Sequence, residues 1–181
     1  MQLEIKKALT TLKSGGIILY PTDTIWGIGC DATNPKAVER IYTLKKRTEN
    51  KALISLVSNI AMIDKFTDNK KSKIPPSEKP TTIIYQNVTG LAKNLITEDN
   101  TAAFRIPNDE FCHLLVTSFG LPIVSTSANI SGDEIPKQFS EISNEIRNNV
   151  DYIVNLRHNE LMTTPSTIIM IDEDGSVKKI R

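Results

Sequence analysis

Four groups of residues have the types and spacing for chemistry on an anionic ligand. Lys45, Lys46, Arg47 and Lys51 put four cations where a predicted helix runs out into a loop. Ser125, Thr126, Ser127, Ala128 and Asn129, followed by Ser131 and Gly132, open directly from an apolar stretch. Thr22, Asp23 and Thr24 precede Gly27 and Gly29. The fourth group is scattered: Thr101 and Arg105 on one predicted strand, Ser166 and Thr167 on another, and Arg181 at the last position.

Each group has a plain reading beside a functional one. Clustered cations beside hydroxyls and flexible backbone suit a polyanion such as a triphosphate; a cationic helix end is also an ordinary solvated surface. Strand ends rich in Ser, Asn and Gly array hydroxyls and backbone N–H groups around a ligand; the same residues dominate simple turns. An arginine inside an otherwise apolar strand is different. If Arg105 points inward it needs an anion, from the protein or from a ligand; pointing outward it sits on a polar face. Arg181 is by default a frayed end.

Other chemistries are absent from the pattern. Cys30 and Cys112 are far apart, with no CxxC, and His113 and His158 stand alone. This is neither a disulfide framework nor a zinc motif, and a catalytic metal held by protein ligands alone is not expected. GxxxxGK[ST] and GxGxxG do not occur, and no Ser/His/Asp arrangement or carboxylate pair stands out. The expected chemistry is therefore positioning and charge neutralisation rather than covalent catalysis. With Lys+Arg 22 against Asp+Glu 21, the net charge of +1 argues against binding nucleic acid by bulk charge. The amphipathic N-terminus is not a signal peptide, and no apolar run approaches the ~20 residues of a membrane span. A soluble, cytoplasmic protein is expected.

These groups need elements to hold them. Leu3, Ile5, Ala8 and Leu12 share one side of a predicted first helix that ends at Gly15-Gly16. A short strand over 17–20 leads through a turn at Pro21 to a small glycine-punctuated strand. Asn34 and Pro35 start a second helix, the one that delivers the basic loop. A buried strand follows over 52–57, then a helix over about 59–66 capped by Ser58. Residues 67–80 carry three prolines and few large apolar side chains, which predicts a surface segment able to serve as a connector or a lid. Further strands are expected over 81–85, 101–106, 121–126, 152–155, 166–171 and 177–180. Asn108 is expected to cap a helix burying Phe111, Leu114, Leu115 and Phe119, and another helix is expected over about 139–147. Adjacent strands without an intervening helix predict a mixed, twisted sheet with helices on its faces, an α+β fold of about seven strands in a single domain over 1–181.

The stretches PTDTIWGIGCDA, LKKRTENKAL, FRIP, PIVSTSANISG and PSTIIMID, in this order and spacing, resemble the YrdC family, and within it the TsaC-type threonylcarbamoyl-AMP synthases. The resemblance runs from the first helix to the last residue. It implies a YrdC-like domain with a basic central cavity. It also implies a reaction in which L-threonine, bicarbonate or CO₂ and ATP give threonylcarbamoyl-AMP and pyrophosphate, with water released where bicarbonate supplies the carbon, for modification of tRNA. Mg²⁺ would arrive with ATP. By the same resemblance Lys45, Arg47, Lys51, Thr101, Ser127, Asn129 and Arg181 match nucleotide positions, with Lys45, Arg47, Ser127 and Asn129 as the catalytic signature. Thr24, Arg105, Ser125 and Ser166 match the threonine pocket, Arg105 holding the carboxylate. Separate TsaD, TsaB and TsaE proteins are the implied partners, with tRNA met indirectly or weakly.

The sequence departs from the family pattern in places. Trp26 stands where Tyr is usual, Lys46 where Gly is usual, Ala52 in place of Pro, and Leu56 where some relatives carry His. Two other functions compete. One is an RNA-binding or ribosome-associated module of the same fold, which the 6% aromatic content and the balanced charge disfavour. The other is carbamoyl-phosphate chemistry, as in hydrogenase-maturation carbamoyltransferases, whose acylphosphatase-like, zinc-finger and transferase parts are not expected here.

Overall fold

At Gly29 a side chain has no room: a Cβ there would stand 2.2 Å from the carbonyl oxygen of Val124 and 2.9 Å from the Tyr20 ring. The missing side chain lets three segments close into the centre of a sheet. The computed structural model describes residues 1–47, 53–68, 79–171 and 176–180. Among them are nine strands: β1 (Ile18–Tyr20), β2 (Gly27–Gly29), β3 (Ile54–Leu56), β4 (Thr81–Tyr85), β5 (Ala102–Arg105), β6 (Ile123–Ser127), β7 (Tyr152–Ile153), β8 (Thr167–Ile171) and β9 (Val177–Lys179). They form one sheet in the order β7-β1-β2-β6-β3-β5-β4-β8-β9.

The sheet is mixed, as expected. β1–β7, β3–β5 and β4–β8 run parallel, and the remaining neighbours run antiparallel. Each of the nine strands falls on one of the stretches read as strands above, so the sheet has two more strands than the overall expectation of about seven. The register gathers the site. Gly27 lies opposite Ser127, Ile54 opposite Ser125, and Leu56 opposite Arg105.

Helices α1 (Gln2–Lys13), α2 (Pro35–Leu44), α3 (Ile60–Ile63), α4 (Glu110–Phe119) and α5 (Asn144–Asn148) complete the fold. In α1, Ile5, Ala8 and Leu12 are buried; in α2, Val38, Ile41 and Tyr42 are. Asn34 caps α2 through the N–H groups of Lys36 and Ala37, with Pro35 in the first turn. None of the helices among the described residues is long and apolar enough to cross a membrane.

Several local expectations are corrected. Asp109, not Asn108, caps α4: its carboxylate accepts the Cys112 N–H, whereas the Asn108 N–H is taken by Asp23. Leu114 on α4 is 39% exposed, so the buried face is Phe111, Cys112, Leu115 and Val116. Asn59, not Ser58, caps α3, which is one turn long before Phe66 drops into the core beside Phe104. The expected helix over 139–147 is a 3₁₀ turn followed by α5. Buried Ile142 is extended between them, and Ser143 starts afresh by accepting the Ile146 N–H. Most of the proline-bearing 67–80 segment lies outside the described residues, as do Lys51, Ala52 and Arg181.

Candidate functional site

A cavity of about 170 Å³ opens at the centre of the sheet. The turn before β2 lines it with Thr22, Thr24, Ile25 and Gly27; the end of β6 with Ser125, Thr126 and Ser127; the start of β3 with Leu53 and Ile54. Pro165, Ser166 and Ile168 supply the wall at β8, and Ile135 reaches in from the loop after β6. Its charged lining among the described residues is Arg47 and Arg105, with no carboxylate. Of the residues singled out in sequence, Thr24, Arg47, Arg105, Ser125, Ser127 and Ser166 therefore meet in one place. The apolar lining, Leu53, Ile54, Ile135, Pro165 and Ile168, carried no sequence signal, because such residues look like ordinary core.

Arg105 points inward. It is 3% exposed at the end of a fully buried strand. Its Nη1 donates to Asp23 Oδ1 at 2.5 Å, across 82 residues of sequence, and the other Asp23 oxygen accepts the Asn108 N–H at 3.1 Å. The Arg105 Nε is buried with no hydrogen-bond partner among the described residues. Asp23 stands out in the sequence only as part of a cluster. The sequence points to it only through Arg105 in the apolar strand, which needs an anion if it faces inward.

Lys45 sits differently. It is the C-cap of α2 and only 1% exposed, yet it is not part of the cavity lining. Its Nζ donates to the carbonyl oxygens of Ser127 at 2.5 Å and Asn129 at 2.7 Å, with Ser127 Oγ and Asn129 Oδ1 farther off at 3.4 and 3.5 Å. The Lys45 carbonyl in turn accepts the Ser131 N–H. One residue thus ties the basic loop to the Ser-Ala-Asn turn. Burial, with the neighbouring Arg47 charge, pushes the Lys45 ammonium down to about 7. Burial also lowers Arg47. Between them Lys46 holds φ at +50°, the left-handed region that favours glycine, and reaches outward to Glu145 at 2.8 Å.

The hydroxyls are pre-set by neighbours. Thr22 Oγ1 receives the N–H groups of Thr24 and Ile25 and lies 2.9 Å from Thr24 Oγ1, which fixes the turn. Ser166 Oγ lies 2.8 Å from Thr82 Oγ1 on β4. Asn129 Nδ2 closes the loop after β6 by donating to Asp133 O. Thr101 falls on the same alternation as Arg105, but its hydroxyl is 2.7 Å from that of Thr97 and it does not line the cavity. Trp26 is fully buried against Phe139 and His158, outside the lining. No cluster of three or more His, Cys, Asp or Glu side chains suited to a metal occurs among the described residues. The cavity offers hydroxyls and cations, a donor set that fits a metal carried on phosphate oxygens rather than one held by the protein.

Comparison with known proteins gives the same picture from another direction. The threonylcarbamoyl-AMP synthase of Pseudoalteromonas translucida is 36% identical over 180 residues, covering 92% of this chain and 92% of that protein. The putative threonylcarbamoyl-AMP synthase of Methanocaldococcus jannaschii is 35% identical over 181 residues, covering 94% of this chain and 84% of that one. The crystal structure of P. abyssi Sua5 complexed with L-threonine superposes with a TM-score of 0.83 at 22% identity, covering 100% of this chain and 54% of that chain. The chain thus spans about half the length of that protein, and the likeness there is one of fold. The model of the Sua5/YciO/YrdC family, described as telomere recombination, matches residues 10–181. This chain belongs to the Sua5/YciO/YrdC family.

Proposed function

We infer that this protein condenses L-threonine, bicarbonate and ATP into L-threonylcarbamoyl-AMP, releasing pyrophosphate and water; with CO₂ in place of bicarbonate no water is released. The observation that carries the reading is the near full-length match, at 35–36% identity, to proteins named for this reaction. The cavity is consistent with it: a buried arginine beside three hydroxyl-bearing walls, with a second arginine at the basic loop.

The residues divide the work. The Arg105 guanidinium takes the threonine carboxylate, and Thr24, Ser125 and Ser166 hydroxyls take its amine and hydroxyl. A site that bonds the substrate's polar groups rejects analogues that cannot supply them. The threonine nitrogen forms a bond to the carbon of CO₂, supplied as such or by loss of water from protonated bicarbonate, and loses a proton, giving a carbamate. A carbamate oxygen then attacks the α-phosphorus, the bond to the β-phosphate oxygen breaks, and pyrophosphate departs. Arg47 and Lys51 neutralise triphosphate charge, and Lys45 holds the Ser127–Asn129 loop against the nucleotide. Thr101 and Arg181 are assigned to the nucleotide by family resemblance alone. Mg²⁺ bound to the ATP phosphates supplies further neutralisation. Catalysis is then alignment of two reactants plus charge stabilisation. The product serves tRNA threonylcarbamoyladenosine formation in the cytoplasm, completed by TsaD, TsaB and TsaE proteins.

The test is mass spectrometry of the product formed from ¹³C-bicarbonate, L-threonine and ATP. The expected species is a threonine–AMP adduct carrying one ¹³C. Formation of AMP or ADP with no labelled adduct would overturn the reading.

A further inference from the structure

We propose that Asp23 is a positioning residue for threonine: it sets the guanidinium of Arg105 so that the edge left over meets the substrate carboxylate. The proposal rests on the functional reading above.

Asp23 is tied down at both oxygens. Oδ1 accepts from Arg105 Nη1, and Oδ2 accepts the Asn108 N–H. Both side chains of the pair are almost completely buried, at 3% and 6% exposure. A planar guanidinium held at one nitrogen by a fixed carboxylate has little freedom to turn. The Arg105 Nε is buried and without a hydrogen-bond partner among the described residues, while the side chain lines the cavity. A buried donor left unpaired is costly, and an incoming carboxylate relieves that cost. The pairing also places a compensating negative charge behind Arg105, outside the lining, so the cation can stay buried before substrate arrives.

The anchor extends beyond the pair. Asn108 precedes Asp109, whose carboxylate caps α4 through the Cys112 N–H and accepts from Arg157 Nη1 at 2.6 Å. Arg157 belongs to the connector that leads to Pro165 and Ser166 on another wall of the cavity. The turn carrying Thr22–Thr24 and the connector carrying Ser166 are therefore fastened to the same two residues at the start of α4. Asp23 couples the Arg105 cation to that anchor.

The experiment compares Asp23→Ala, Asp23→Asn and the wild type in threonine-dependent pyrophosphate release at saturating ATP. Asp23→Asn keeps the size and one acceptor, so it tests the idea even if Asp23→Ala folds poorly. Removing the charge that orients Arg105 should raise the threonine KM by about tenfold or more, with kcat changed by less than about threefold and the ATP KM nearly unmoved. The Asp23→Ala change is then repeated in an Arg105→Ala background. There it should alter kcat/KM for threonine by less than about twofold, because a residue acting through Arg105 has nothing left to act on. An unchanged threonine KM in folded Asp23→Asn, or an equal loss in both backgrounds, overturns the proposal. A wild-type protein without threonine-dependent release instead removes the functional reading, and the proposal with it.

Discussion

Arg105 and Lys45 are both buried cations near one cavity, and the chain compensates them in different ways. Arg105 faces a carboxylate, and the pair is buried together. Lys45 faces carbonyl oxygens, with Arg47 as its charged neighbour. Burial, with the Arg47 charge beside it, pushes Lys45 down to about 7, because carbonyl dipoles offset the burial of an ammonium less than an opposite charge does. The difference separates two jobs. On the function proposed above, the Asp23–Arg105 side is the receptor for a small carboxylate. On the same reading, the Lys45 side is a clasp on the Ser127–Asn129 loop, whose charge becomes favourable when a polyanion arrives.

The largest effect that tests this division is expected from Arg105→Ala. It leaves Asp23 buried and unpaired, a loss on the order of 3–5 kcal/mol in urea denaturation. It should also lower kcat/KM for threonine by about a hundredfold or more, while ATP affinity measured by calorimetry changes little. A variant with normal threonine kinetics would erase the distinction. Lys45→Met should do the reverse. The methionine refills the space without a buried charge, so stability should move by less than about 2 kcal/mol, while ATP affinity falls by about tenfold as the Ser127–Asn129 loop loses its clasp. A threonine defect larger than the ATP defect would reassign Lys45.

A pH experiment sharpens the contrast further. Lys45 has its folded pKa lowered, so between about 7 and its ordinary value near 10.5 the unfolded chain binds more protons than the folded one. Its contribution to stability therefore rises with pH across that window, and is least favourable below about 7. A bound triphosphate favours the ammonium, so ATP binding at pH 8 should take up a proton, and its affinity should weaken as pH rises. Calorimetry in two buffers of different ionisation enthalpy reads the uptake, which should vanish in Lys45→Met. The smallest effect is expected from Lys46→Gly. It relieves a left-handed backbone at φ +50° and gives up an exposed ion pair, so the melting midpoint should rise by about a degree. A fall would mean that the Glu145 contact matters more than the backbone.

The two cations also differ in how far the sequence discloses them. An arginine in the apolar run around Arg105 is conspicuous, because a strand buried along its whole length leaves no polar face for it. Its partner is not conspicuous: Asp23 is 82 residues away, and a single Asp in a turn has local uses enough. Lys45 reads as one of several solvated charges at a helix end; among the described residues of that run, Lys46 is the exposed one, while Lys45 is buried and Arg47 lines the cavity. Which cation of a run turns inward is decided by the loop that packs over it, here the carbonyls of Ser127 and Asn129. The strands and the mixed sheet were legible from apolar runs and turn residues. The caps of α3 and α4 were displaced by one residue because adjacent Ser58/Asn59 and Asn108/Asp109 are equally able to cap, and tertiary partners chose between them. The meeting of Ser166 with Thr82, and the apolar walls from Ile135 and Pro165, depend on long-range pairing that local pattern does not encode.

The measurement that tests the central claim most directly is pyrophosphate release from ATP with Mg²⁺ and bicarbonate, with and without L-threonine, and with L-serine as the control. Release should require threonine and be much weaker with serine. Release that ignores threonine, or no release from a protein that binds RNA with a steep salt dependence, would contradict it.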